Sequence, residues 1–62
     1  MPYMNFTFAE IADPTNTRTI KGSYMSTGMG RYNIFDSSMS LVETISPNFW
    51  ALVKVQIESN DD

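Results

Sequence analysis

Because the sequence contains neither His nor Cys, any chemistry would have to rely on Ser, Thr, Lys, Tyr or carboxylate side chains, and four of the carboxylates are candidates for a pair. Two carboxylates held at different pKa values can share the acid and base roles of a catalytic pair. The candidates here are Glu10, Asp13, Asp36 and Glu43. Their types and spacing are typical of turns and caps, where a carboxylate accepts hydrogen bonds from nearby backbone N–H groups. We therefore predict structural roles for Asp13 and Asp36 rather than catalytic ones.

Other signatures of enzymes and of metal sites are also missing from the sequence. It contains no Gly-x-Ser-x-Gly elbow, no Ser-x-x-Lys dyad and no P-loop. Calcium needs several oxygen ligands in a compact loop, whereas residues 13–16 offer two such side chains and a proline. A chain of 62 residues also leaves little room for a water-excluded pocket. We predict no enzymatic activity, no metal and no cofactor.

The segment Gly28-Met29-Gly30-Arg31-Tyr32 combines glycines with a basic and an aromatic residue, as do phosphate loops and the strands on which RNA bases stack. Those modules place several exposed aromatics among many basic residues. Here four Lys and Arg against seven Asp and Glu give a net charge of −3, which disfavours wide contact with a phosphate backbone. The segment favours a flexible loop, and single-stranded nucleic-acid binding stays an alternative. The candidate residues for binding single-stranded nucleic acid are Arg18, Lys21, Tyr24, Arg31 and Tyr32.

Two stretches of alternating apolar residues predict long strands near the two ends of the chain. In residues 3–12, the alternation places Met4, Phe6 and Phe8 on one side. In residues 49–58, one face is wholly apolar, and we expect it to be buried. That face comprises Phe49, Ala51, Val53, Val55 and Ile57. The opposite face changes from apolar to charged and comprises Trp50, Leu52, Lys54, Gln56 and Glu58.

Turn residues and β-forming residues alternate through the middle of the chain. Residues 13–16, Asp-Pro-Thr-Asn, suit a type I turn that returns the chain antiparallel to itself. Residues 17–25 are rich in Thr, Ile and Tyr and predict the partner strand, while residues 31–36 predict a third, short strand. Within the partner strand, Gly22 suggests a bulge or a close crossing. The residues expected on one side of it are Arg18, Ile20, Gly22 and Tyr24.

Residues 36–46 allow either a helix or a strand. The N-cap candidates and the Ser40-x-x-Glu43 capping pattern favour a helix. The alternation of Met39, Leu41 and Ile45 with polar or β-branched residues favours a strand, which we prefer, and Pro47 ends either element. The chain is therefore predicted to be mainly β. We expect one small domain over residues 1–62, a small antiparallel sheet or barrel of four to five strands, with an α+β domain containing one short helix near residues 37–46 as the alternative.

The short length of the chain predicts self-association. A domain of this size buries only about 60% of its unfolded surface, and without Cys or His it has neither disulfides nor a usual zinc site to supplement its core. We expect a homo-oligomer, most simply a homodimer formed through open sheet edges. No apolar run approaches the roughly 20 residues that cross a bilayer, and no export signal is visible. We expect a soluble, cytoplasmic protein without membrane contact, in which Asp61 and Asp62 solvate the chain end.

The functional prediction rests on a surplus of aromatic and Met side chains. One Trp, three Tyr, four Phe and five Met exceed what one small core encloses, and such residues are enriched in protein interfaces. The candidate protein interface comprises Tyr24, Met25, Met29, Arg31, Tyr32 and Trp50. We predict a non-enzymatic, self-associating protein-binding module that acts as a small inhibitor or adaptor of a larger protein, as small acidic proteins of phages and mobile elements do. The alternatives are a structural or assembly subunit and the single-stranded nucleic-acid binder.

Overall fold

The computed structural model describes residues 3–58 and is mainly β, as the sequence predicts. Six strands occur in this part of the chain: β1 (Tyr3–Glu10), β2 (Thr17–Gly22), β3 (Tyr24–Ser26), β4 (Tyr32–Phe35), β5 (Leu41–Ile45) and β6 (Trp50–Glu58). They form two antiparallel sheets, sheet A with the order β2-β1-β6 and sheet B with the order β3-β4-β5. No helix within residues 3–58 is long and apolar enough to cross a membrane. The expectation for Asp61 and Asp62 lies outside the described residues.

The segment that allowed a helix or a strand forms a tight turn followed by β5, so the α+β alternative is wrong. The Asp36 Oδ1 atom accepts hydrogen bonds from the backbone N–H groups of Ser38 and Ser40, at 2.8 and 3.0 Å. The Asp36 N–H in turn donates to the Ser40 carbonyl at 2.9 Å. These bonds close a hairpin between β4 and β5 instead of capping a helix.

The turn between β1 and β2 forms at residues 13–16, where the sequence predicts it. The Asp13 Oδ1 atom accepts hydrogen bonds from the backbone N–H and the hydroxyl of Thr15, at 3.3 and 2.7 Å. The Asn16 N–H donates to the Asp13 carbonyl at 2.9 Å. The turn brings β2 back antiparallel to β1, with Phe6 opposite Ile20.

The core lies between the two sheets and is built around β1. Phe6 and Phe8 project from β1 into it, as the alternation predicts, and Met4 packs against it. The other buried members of the cluster are Ile20, Ile34 and Ile45. The ring of Phe8 contacts that of Tyr32 from sheet B, with ring centroids 5.3 Å apart. The opposite face of sheet A is polar, and its cross-strand contacts include a 3.1 Å hydrogen bond between the hydroxyls of Thr7 and Thr19.

Gly22 lies where the chain passes from sheet A into sheet B, and it is the close crossing that the sequence suggests. A Cβ atom on Gly22 would overlap Cγ2 of Ile34 and would lie 3.0 Å from the carbonyl oxygen of Phe35. At the next residue, the Ser23 N–H donates to that same carbonyl at 2.8 Å. The backbone at Gly22 therefore lies so close to Ile34 and Phe35 of sheet B that only glycine fits at this position.

The side-chain alternation shifts by one residue at Ser23, which divides the predicted strand 17–25 into β2 and β3. Ile20 is buried in the core, but Tyr24 is exposed and it is Met25 that packs inward. The expectation that Tyr24 shares a side with Ile20 is therefore wrong. The division also explains why there are six strands where four to five are predicted.

A β-bulge in β6 moves the inner face of this strand from one set of alternating residues to the other, so that the predicted inner face is reversed before the bulge and kept after it. Thr7 lies opposite Lys54 and Phe8 lies opposite Leu52, so Val53 has no partner on β1. One extra residue moves all later side chains to the other face. The prediction of a single buried face from Phe49 to Ile57 is wrong for this reason. The β6 residues that share the inner face with Phe6 and Phe8 are Trp50 and Leu52 before the bulge and Val55 and Ile57 after it.

The close crossing at Gly22 predicts how the fold responds to a single added methyl group. We expect Gly22→Ala to lower the free energy of unfolding by about 1–3 kcal/mol, as overpacking does in other cores. Gly28→Ala is the matched control, because no atom lies within 4 Å of a Cβ built at that position. Urea unfolding followed by circular dichroism measures both variants. Equal unfolding midpoints for the two would contradict the close crossing.

Candidate protein interface

β6 is an edge strand of sheet A. It pairs with β1 along one side, and within residues 3–58 no strand pairs with its other side. It is also the longest of the six strands, with nine residues. An edge of this kind presents a row of N–H and C=O groups to which another extended chain can hydrogen bond.

The far half of β6 exposes apolar side chains that face the same way as the core. Val55 and Ile57 lie opposite Phe6 and Met4 on the inner face, but they are 48% and 72% exposed. Sheet B therefore does not cover this end of sheet A. The result is an apolar surface continuous with the core and adjacent to an open edge, which we call the β6 edge surface: Val55, Ile57 and the backbone of residues 54–58.

The edge of sheet B at β5 differs from the β6 edge in its shorter length and its inward charge, although both strands contain a bulge. β5 has only five residues, and Val42 forms a second bulge because Ile34 lies opposite Glu43 while Phe35 lies opposite Leu41. Glu43 shares the inner face with Ile34, where its carboxylate lies 3.4 Å from the guanidinium of Arg18. Short length, a bulge and an inward charge all discourage strand pairing. β6 is therefore the better template for a partner strand.

At the Trp50 end of sheet A, other side chains of the same chain contact the inner face. Trp50 is half-buried and packs against the core, and the guanidinium of Arg18 lies over its ring, 5.6 Å from the centroid. The ion pair of Arg18 with Glu43 is substantially exposed on both sides, so it contributes at most about 1 kcal/mol to folding. Trp50 thus fills the core of this chain, and its ring is not a freely exposed contact residue.

The polar outer face of sheet A carries an exposed lysine. Lys21 lies over the ring of Tyr3, with Nζ 4.8 Å from the centroid. Hydrogen bonding to the Tyr3 side chain raises the pKa of Lys21 above its ordinary value of 10.5, with a smaller contribution from Glu58. Glu58 also accepts a 2.6 Å hydrogen bond from Nδ2 of Asn5. This face is therefore charged at neutral pH and is an unsuitable surface for apolar contact.

The six residues of the predicted interface do not form one surface. Met25, Tyr32 and Trp50 pack inward against the core. Tyr24 lies on the outer face of sheet B, with its ring centroid 5.5 Å from that of Phe35. The remaining two lie in the loop between β3 and β4: Met29, which is 97% exposed with a φ of 60°, and Arg31, which is exposed.

The β6 edge surface contains none of these six residues, because sequence reasoning assigned its side chains to the buried face. One feature of the sequence shows why the faces of β6 are hard to predict. Residues 49–53 are five consecutive apolar residues, so either face of the strand fits the core there and an inserted residue leaves no mark on the pattern. Whether β6 lies at an edge depends on strand pairing, which no local pattern reports.

The residues of the nucleic-acid alternative are also distributed over different parts of the molecule. Arg18 lies on the inner side beside Trp50, and Lys21 lies on the outer face of sheet A. Arg31 is in the β3–β4 loop, while Tyr32 packs its ring on Phe8. Single strands bind along a continuous groove of basic and aromatic side chains. These residues do not form such a groove.

The four candidate carboxylates have separate structural contacts. Asp13 and Asp36 hold turns, Glu43 pairs with Arg18, and the Glu10 carboxylate accepts a 3.0 Å hydrogen bond from Nδ2 of Asn16. Within residues 3–58, no three Asp or Glu side chains come together in a group that could hold a metal ion.

The chain matches no protein-family model, no curated protein and no solved structure.

The placement of Trp50 predicts that its removal affects folding more than association. We expect Trp50→Ala to lower the free energy of unfolding by about 2 kcal/mol or more, since a large ring packed on the core is lost. Met29→Ala serves as the control, because its side chain is almost fully exposed and should change stability by less than about 0.5 kcal/mol. Denaturant unfolding measures both. Unchanged stability in Trp50→Ala together with lost self-association would instead identify Trp50 as an interface residue.

Proposed function

We propose that this chain is a non-enzymatic protein-binding module that associates by strand addition at the β6 edge surface, and that it self-associates through this surface. The observation that carries the proposal is the coincidence of an unpaired nine-residue edge with exposed Val55 and Ile57 on the inner face. Strand addition obtains affinity from backbone hydrogen bonds and specificity from alternate side chains. Residues 54–58 provide both an unpaired backbone edge and alternate apolar side chains.

The small core supports a second copy of the chain as the partner. Its buried apolar side chains number only six among the described residues, and domains of this size are marginal alone. The chain exposes 4239 Å², so an ordinary interface of roughly 800 Å² per partner would cover about a fifth of it. Pairing at β6 would place Val55 and Ile57 against apolar side chains of the second copy and extend the apolar layer of sheet A beyond a single copy.

A module of this kind acts on a larger protein by occupying a surface, as an inhibitor or an adaptor does. The same edge that accepts a second copy accepts any extended segment with apolar residues at alternate positions. Self-association would then compete with binding to a larger partner. The turn roles of Asp13 and Asp36 and the ion pair of Glu43 support the non-enzymatic part of the proposal, since these carboxylates already serve the fold.

We expect the wild-type chain to form dimers whose association is weakened by Ile57→Lys. The substitution places a charge in the apolar part of the proposed interface and should raise the dissociation constant at least tenfold, the effect of a lost apolar contact residue of about 1.4 kcal/mol. Light scattering coupled to size exclusion over a hundredfold concentration range measures this constant.

Phe49→Lys is the matched control for this experiment. Phe49 is 65% exposed, close to the exposure of Ile57, but it precedes β6 and lies near Ile11, whose N–H donates to its carbonyl at 2.9 Å. The control should associate as the wild type does. Wild-type chains that stay monomeric at every concentration, or dimers weakened equally by both substitutions, would refute the β6 edge surface.

A further inference from the structure

We infer that two copies of this chain pair their β6 strands antiparallel around Gln56, so that Lys54 of each copy faces Glu58 of the other. This inference rests on the proposed function and specifies the register of the contact. It follows from the position of the bulge, from the faces of the strand and from the two charges that lie on its outer face.

The bulge limits where a second β6 can pair regularly. Val53 interrupts the pairing of β6 with β1, so the longer regular part of β6 among the described residues is 54–58, beyond the bulge. A two-fold axis places residues equally distant from the centre opposite each other. Gln56 is the midpoint of this run, and a pairing centred there uses all five residues on both copies.

The Gln56-centred register matches side chains of like environment on both faces. On the outer face, Lys54 meets the partner's Glu58, and this opposite-charge pair occurs twice because of the symmetry. On the inner face, Val55 meets the partner's Ile57, also twice. Opposite-charge pairs and apolar pairs directly across two strands each stabilise a sheet. Each exposed apolar residue of the β6 edge surface then contacts an apolar residue of the other copy.

Neighbouring symmetric registers lack this match. A centre at Lys54 brings the two lysines directly opposite each other, which is destabilising. A centre at Val55 sets Glu58 opposite Leu52, which lies on the inner face on the other side of the bulge. Lys54, a residue type that often protects exposed edges from pairing, here discriminates between registers.

The paired β6 strands would join the two copies of sheet A into one six-stranded sheet with the order β2-β1-β6-β6-β1-β2. Both β6 edges are then consumed, so the contact closes as a two-fold dimer. The six-stranded sheet ends in β2 on both sides, and sheet B keeps its own edges at β3 and β5. Of these, β5 is a poor template because of the bulge at Val42 and the inward Glu43.

A single-cysteine series tests the register directly, because the chain has no Cys of its own. In the Gln56-centred pairing, the two Gln56 residues lie opposite each other, where Cα atoms are about 4.5–5.5 Å apart. That separation is within the range of about 4.4–6.8 Å spanned by disulfides. We expect Gln56→Cys to give covalent dimers under mild oxidation, read on a non-reducing gel.

Lys54→Cys and Glu58→Cys are the controls of the series. Each lies two residues from the centre, so its equivalent in the other copy is four residues away along the strand, roughly 13 Å. Neither should cross-link at the rate of Gln56→Cys. Faster cross-linking at residue 54 or residue 58 would overturn the register.

Charge reversal provides a second test that needs no covalent bond. Lys54→Glu places two pairs of carboxylates opposite each other and should raise the dimer dissociation constant roughly tenfold at low salt. Glu58→Lys should weaken the dimer comparably, and it also removes the hydrogen bond from Asn5. The double variant restores the opposite-charge pairs in reversed order and should recover most of the affinity. A double variant no tighter than either single variant would overturn the pairing.

The outcomes separate this inference from the proposed function. A dimer that Ile57→Lys disrupts but that cross-links away from Gln56 keeps the β6 edge surface and overturns the register. Chains that remain monomeric overturn both. Growth beyond a dimer with rising concentration would overturn the closed two-fold contact and favour an assembly subunit.

Discussion

Val53 has no partner in β1, and this one extra residue determines which side chains of β6 face the core. Without the bulge, regular pairing from Leu52 onward would set Lys54 opposite Phe6 on the inner face. A charge at that position, which Val55 occupies beside the buried Phe6, would lose part of its hydration against apolar side chains. The bulge instead directs Lys54 outward and Val55 inward. The composition of both faces, and the apolar character of the β6 edge surface, follow from this one interruption.

The same two-residue alternation is interrupted at Ser23 and at Val42, so each sheet contains or adjoins such a shift. At Ser23 the shift accompanies the passage of the chain from sheet A to sheet B, and Gly22 allows the backbone to approach Ile34 there. At Val42 the shift leaves Glu43 on the inner face, where it meets Arg18. A core with so few buried side chains is thus assembled from short stretches of regular strand. Between these stretches, the set of alternate residues that faces the core changes.

The sequence predicts the elements of this fold better than it predicts their faces. The β1 alternation, the turn held by Asp13 and the close crossing at Gly22 each depend on neighbouring residues and can be read locally. The phase shifts cannot be read in this way, because a periodic pattern assumes an uninterrupted ladder. The β6 edge surface escaped prediction for a further reason. An edge is defined by the absence of a neighbouring strand, and strand pairing is set by the whole topology. The abundance of aromatic residues instead predicted contact roles for Trp50 and Tyr32, but both side chains pack against the small core.

The difference between the β5 and β6 edges, two of the four sheet edges, bears on what kind of assembly this chain can form. A protein with two equivalent open edges adds copies at both and grows without limit, as edge-to-edge aggregation does. Here β5 is short and bulged and carries an inward carboxylate. β6 has five regular residues beyond its bulge, and their outer charges, Lys54 and Glu58, are opposite in sign and equally distant from Gln56. An edge that is complementary to itself is consumed when two copies meet. In the dimer that we propose, Lys54 and Glu58 favour this closed contact over open growth, and Val55 and Ile57 lie within it.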